Sequence, residues 1–265
     1  MPAPNPQPQA ALVEIGVMFL PAFPAYLWVW PNLSGSGLWI FQIIAYLYVL
    51  AGTVWIIKRH WSFTQVGVTL HGLALSLACA VFVLAGRQLI IKSVDWLIEP
   101  DPMTPLQIAG NVLFYFALVG LTEEILFRGL LYTTLEQWRG IRWAVLGSSL
   151  GFLLWHILGH GVLIGVTMFF IGLAFALFRL RLGSIIGLII MHALWDLQSA
   201  LQVSSSNAEI VQQLGTITDH PGMLRLGTFI MVLPFLYLWL IHPRLARWVK
   251  SKRYRAGRDE QLPSI

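Results

Sequence analysis

The sequence predicts an all-α, polytopic integral membrane protein of about eight transmembrane helices with both termini cytoplasmic, and three observations carry this. Hydrophobic residues make up 57% of the 265 and charged residues 11%, whereas a soluble domain carries about a quarter charged residues. The apolar residues come in blocks of about twenty, the length a helix rising ~1.5 Å per residue needs to cross ~30 Å of hydrocarbon. Lysine and arginine are also distributed unequally between alternate breaks in those blocks.

The spans read as about 10–30, 37–57, 70–91, 106–137, 141–158, 161–179, 183–202 and 226–242. Turn and charge signals separate them, among them Pro31 to Gly37, Lys58 to His60, Glu99 to Pro105, Arg139 to Arg142 and Gly159 to Gly161. The proline-rich start, Met1 to Gln9, lacks the basic n-region of a cleaved signal peptide, so the first block is expected to be a retained span. Assigning the breaks alternately puts Lys58, Arg59, Arg139, Arg142, Arg179, Arg181 and the basic tail on one side. The other side receives Arg87, Lys92 and Arg225 with Asp95, Glu99, Asp101, Glu209 and Asp219. The basic side is the cytoplasmic one. Tryptophans such as Trp28, Trp39, Trp61, Trp138 and Trp143 stand at span ends, where an amphipathic ring suits the headgroup layer.

The net charge of +5 does not point to nucleic acid, because seven of the seventeen basic residues lie between Arg244 and Arg258. A basic tail behind a last span suits anionic headgroups, and no aromatic-interleaved basic face accompanies it. The single cysteine, Cys79, excludes an intrachain disulfide and a cysteine metal cluster. No long repeat is visible, so the chain reads as one membrane domain in three stretches: N-terminal helices over 1–103, a core over 104–202, and over 203–265 an extramembrane loop, last span and cytoplasmic tail. Its surroundings are then the lipid bilayer. Its location is a multi-pass place in a membrane, the plasma (inner) membrane in a bacterial cell.

A charged side chain near the bilayer centre costs at least about 2.5–3.5 kcal/mol, so each asks for a partner or a task. Several occur together here. The fourth span holds Glu123, Glu124 and Arg128, the fifth Trp155 and His156 with Phe152 one turn earlier, the seventh His192, Trp195 and Asp196. Glu124 and Arg128 stand at i and i+4 and can pair; His192 and Asp196, also at i and i+4, share a face of the seventh helix and can act on one object. Glu123 is turned about 100° from Glu124 and is free to face something else. Glu123 precedes Gly140 by seventeen residues and His156 follows it by sixteen, so in an antiparallel pair both lie ~24 Å from the turn, level with each other. His192 joins that layer only if the hairpin around Gly140 extends into the cytoplasm. Trp155 and Trp195 are expected to wall the polar cluster, and Phe152 to pack.

The motifs E-E-x-x-x-R (Glu123 to Arg128), F-x-x-x-H (Phe152 to His156) and H-x-x-x-D (His192 to Asp196) resemble, in order and spacing, the signature of the CAAX prenyl endopeptidase and bacteriocin-processing family, also called CPBP or Abi. The resemblance implies an all-helical intramembrane endopeptidase with a water-filled cavity, acting on a membrane-associated peptide or protein substrate, in which Glu123 is similar to the family's essential glutamate. Its implied catalytic set is Glu123, Glu124, His156, His192 and Asp196, with Arg128, Phe152, Trp155 and Trp195 supporting. Such families are described both as glutamic-type and as zinc-type proteases, and Glu123, His156, His192 and Asp196 are donors of the kind zinc accepts. Many relatives carry Asn where this chain has Asp196. An ionised Asp cannot donate to an oxyanion, so it must be protonated, orient His192 or bind metal.

Two further classes stay open from the residues alone: a transporter using the same groups as a proton or cation site, and a non-catalytic immunity or binding protein. Neither matching broken helices nor internal repeats favour the transporter. Orientation is testable directly. A cysteine added to the C-terminal tail of a Cys79→Ala chain should resist membrane-impermeant maleimide in intact cells and react after permeabilisation; labelling of intact cells would invert the topology.

Overall fold

A computed structural model of the protein describes residues 7–21, 24–29, 32–92 and 103–200, with five further positions at 225, 226, 229, 230 and 233. Among the described residues every regular element is helical: α1 (Pro8–Phe19), α2 (Gly35–His60), α3 (Leu73–Lys92), α4 (Pro105–Arg139), α5 (Ile141–His160), α6 (Val162–Leu182) and α7 (Ile186–Ala200). Five of these, α2 to α6, are long and apolar enough to cross a membrane, while α1 and α7 are shorter apolar helices. The expected last span at 226–242 lies outside the described residues except at 226, 229, 230 and 233, as do the 204–224 loop and the basic tail.

The first expected span, 10–30, is not one helix. α1 stops at Phe19 in a turn at Leu20 and Pro21, and the next described helical stretch is a π turn over Ala25–Val29. Proline has no N–H and its ring collides with the carbonyl four residues earlier. Pro21 and Pro24 together therefore break a run that hydropathy alone reads as continuous. α1 buries Ala11, Ile15 and Met18, spaced at helical period, in the same core as Val49, Ile56 and Ile57 of α2. Glu14 of α1 lies 3.1 Å from His60 Nε2 and 3.4 Å from Arg59 Nη2 at the end of α2.

α2 is 26 residues long, about 39 Å, enough to cross the hydrocarbon. It ends in Lys58, Arg59 and His60, cations suited to the carbonyl end of a helix. α4 opens with a capping box, in which the Thr104 hydroxyl accepts from Gln107 N–H and the Gln107 side chain accepts from Thr104 N–H. It runs 35 residues, about 52 Å, well beyond the ~30 Å hydrocarbon. Gly140 alone joins α4 to α5 with φ +88°, and Gly161 alone joins α5 to α6 with φ +85°. Such backbone favours glycine and makes these three helices tightly antiparallel neighbours. Outward-facing Leu113, Leu154 and Phe170 are exposed, as lipid-facing side chains should be.

Arg179 and Arg181, counted above as cytoplasmic surface charge, do not share one environment. Arg179 is buried, and its guanidinium donates to the carbonyls of Arg128 (3.3 Å), Gln65 (3.2 Å) and Gly183. Alongside it, Ile185 N–H donates to the Gly67 carbonyl (2.9 Å) and the Ser184 hydroxyl to that of Thr69. The 61–72 connection is thereby bound to α4 and to the α6–α7 turn, which sets where α7 begins. Each acceptor stranded by Arg179→Met costs about 1–3 kcal/mol, so the melting temperature in detergent should fall by about 5 °C or more. Arg179→Lys should recover only part, because an ammonium lacks the planar fork; an unchanged melting temperature in Arg179→Met would refute the clamp.

Candidate active site

The site is built on α4 where its backbone is unusual. Phe114–Gly120 and Glu124–Leu131 are π-helical, with the short α turn Leu121–Glu123 between them. π turns are rare and cluster at functional sites. Just before the two glutamates, Gly120 lies against α7: a Cβ there would stand 3.0 Å from the Ile189 carbonyl oxygen and 3.1 Å from Ala193 Cβ. The missing side chain lets α4 approach α7 closely enough for Glu123 and Glu124 to reach His192.

Glu124 and Arg128 are both completely buried and pair at 2.9 Å. The guanidinium lies 4.1 Å from the Phe152 ring centroid and 5.0 Å from that of Phe175. Aromatic faces attract a cation, so the parts of Arg128 that make no hydrogen bond with the described residues still have electrostatic partners. Glu124 Oε1 also accepts a hydrogen bond from His192 Nδ1 at 2.8 Å. Glu124 does not line the cavity described below; it holds His192 from behind.

With Nδ1 bonded to Glu124, His192 presents Nε2 to two other carboxylates, Asp196 Oδ2 at 3.4 Å and Glu123 Oε2 at 3.7 Å. The i, i+4 spacing read on α7 is therefore used as expected. Glu123 is 2% exposed and its two oxygens differ. Oε1 accepts from the Tyr46 hydroxyl at 2.6 Å and from Trp155 Nε1 at 3.0 Å. Oε2 accepts no hydrogen bond from the described residues.

Glu123, His156, His192 and Asp196 line one cavity of about 450 Å³, with Phe152 and Trp195 in its wall. The level placement of Glu123 and His156 computed from Gly140 is thus reproduced. His156 Nδ1 donates to the Phe152 carbonyl at 2.8 Å, and its ring sits 4.4 Å from that of Phe152. Phe152 is more than packing: it bears on His156 through both carbonyl and ring and covers Arg128. Trp195 is cavity wall, as expected, and carries Arg87 over its ring at 4.6 Å. Trp155 is not wall of this cavity; it borders a neighbouring apolar groove and spends its indole N–H on Glu123.

Tyr46 escaped the sequence reading. It sits in an aromatic, apolar helix where nothing but its hydroxyl distinguishes it. The available signal was the Gln42–Tyr46 pair at i, i+4 within a span, since a buried tyrosine hydroxyl seeks a partner; both residues line the cavity. For metal, among the described residues no group of three or more His, Cys, Asp or Glu side chains stands at metal-binding spacing. The four donors named from residue type, Glu123, His156, His192 and Asp196, border one cavity without meeting at that spacing.

Removing one member of a buried ion pair costs about 3–5 kcal/mol because the other charge is left uncompensated. Arg128→Met should accordingly destabilise the protein in detergent by that order. Adding Glu124→Gln to it should restore a large part; a double variant no more stable than Arg128→Met would show that the pair is not what Arg128 contributes.

Comparison with known proteins bears on the same stretch. No curated protein and no solved structure matches the chain. Residues 105–198 match the family model described as type II CAAX prenyl endopeptidase Rce1-like. The match starts at the first residue of α4 and includes Glu123, Glu124, Arg128, Phe152, Trp155, His156, His192, Trp195 and Asp196, while Tyr46 lies outside it. With the three motifs in order inside the match, the segment 105–198 of this chain is similar to the type II CAAX prenyl endopeptidase Rce1-like family.

Proposed function

We propose that the protein is an intramembrane endopeptidase that hydrolyses a peptide bond with water activated by Glu123. The observation that carries this reading is the convergence of Glu123, His156 and His192, from three helices, on one cavity of about 450 Å³. A carboxylate within hydrogen-bond reach of water can act as general base and then return the proton as general acid. Glu123 Oε2 is the oxygen with no hydrogen bond from the described residues.

In the proposed cycle Glu123 Oε2 takes one proton from water, and the hydroxide oxygen bonds to the scissile carbonyl carbon. His156 Nε2 accepts the other hydrogen of that water, an orientation favoured by Nδ1–H donating to the Phe152 carbonyl. The carbonyl oxygen becomes an oxyanion, which Nε2–H of a protonated His192 stabilises. Glu124 and Asp196 keep that imidazole oriented. The C–N bond then breaks as Glu123 passes its proton to the leaving amine. Asp196 thus works through His192, which reconciles an acceptor-only side chain with a site that needs a donor.

We further propose eight spans, the first of them interrupted after Phe19, with both termini cytoplasmic, and a substrate that reaches the cavity from the membrane. The decisive experiment compares wild type with Glu123→Ala in detergent on a peptide library holding unmodified and prenylated C-terminal sequences, with bound metal measured in both. Loss of the base should lower kcat by about 10²–10⁴. Equal cleavage by the two proteins would remove the mechanism. Stoichiometric metal in wild type that is lost together with activity in Glu123→Ala would replace the general-base role by a ligand role.

A further inference from the structure

α2 lies outside the family-matched segment, yet it supplies the shortest hydrogen bond that Glu123 makes, 2.6 Å from the Tyr46 hydroxyl to Oε1. Trp155 Nε1 donates to the same oxygen at 3.0 Å. Both donors are held by edge-to-face ring contacts. Tyr46 is 6.0 Å from Trp155 and 5.9 Å from Phe114, and Trp155 is 5.9 Å from Phe19 on α1. Such geometry fixes ring planes and hence the direction of each N–H or O–H. The opposite oxygen, Oε2, accepts no hydrogen bond from the described residues and points toward His192 Nε2, 3.7 Å away.

A carboxylate free to rotate presents either oxygen to a substrate water and loses the alignment on which proton transfer depends. Two donors on one oxygen remove that freedom and leave one reactive position. From this arrangement we infer that Tyr46 and Trp155 are positioning residues that lock Oε1 of Glu123, so that Oε2 alone exchanges protons with water and leaving group. The inference rests on the reading of Glu123 as the base. It gives α1 and α2 a task in the reaction: their aromatic side chains aim a carboxylate that belongs to α4.

Tyr46→Phe and Trp155→Phe keep an aromatic ring and remove the donor. With the library peptide that wild type cleaves, each should lower kcat by roughly tenfold or more, the worth of a hydrogen bond to a charged group, while KM stays within about twofold. A residue that merely packed would leave kcat alone. The carboxylate infrared band of Glu123, isolated as the difference between wild type and Glu123→Gln, should shift in Tyr46→Phe. Wild-type kcat in both single variants beside an inactive Glu123→Ala overturns this inference and spares the base. Wild-type cleavage by Glu123→Ala overturns both. If no library peptide is cut, the infrared band decides, and an unmoved band in Tyr46→Phe refutes the lock.

Discussion

A guanidinium with no exposed surface, Arg128, stands at the centre of the helical assembly, and the rest of the site is arranged to make that charge tolerable. An isolated cation there would be prohibitively costly. It is met by the Glu124 carboxylate and by the rings of Phe152 and Phe175, which come from α4, α5 and α6. Once Glu124 is fixed by Arg128, its Oε1 fixes His192 of α7. Four helices are thereby set with respect to one another by a single buried charge, and the cavity that Glu123 faces is the space left among them.

The polar interior is layered. Glu123, His156, His192 and Asp196 line the cavity together with Tyr46, while Glu124 and Trp155 stand off it and hydrogen-bond to His192 and Glu123. This division is independent of sequence proximity: Glu123 and Glu124 are adjacent, yet one lines the cavity and the other does not. Their separation follows from helix pitch, since neighbours on a helix never share a face.

The helical class, the Glu124–Arg128 and His192–Asp196 pairs and the common level of Glu123 and His156 were legible in the sequence, because each depends on local spacing along a helix or on a one-residue turn at Gly140. What was illegible depended on which helices approach which. Tyr46 bonds Glu123 across 77 positions of chain, and nothing local announces that α2 packs there. Arg179 looked like surface charge because a side-bias count weighs cations without asking whether carbonyls surround them. The break after Phe19 was signalled by Pro21 and Pro24, but hydropathy averaged over a window hid it.

The π turns of α4 carry one more implication. An α-helix fits a segment of given rise with fewer residues than the π form does, so Glu124–Leu131 contains more chain than a uniform helix there would hold. Deleting one residue from this stretch would let the ladder relax to regular pitch with the helix beyond it still facing the same way, and would shift the residues inside the stretch by one place relative to Glu123. A deletion between Glu124 and Arg128 would bring that pair to i and i+3, while Tyr132, Thr133 and Thr134 beyond the stretch would keep their buried faces. Residue number along this part of α4 is therefore as tightly bound to the site as residue identity is, and insertions or deletions should be borne in the inter-helix connections instead.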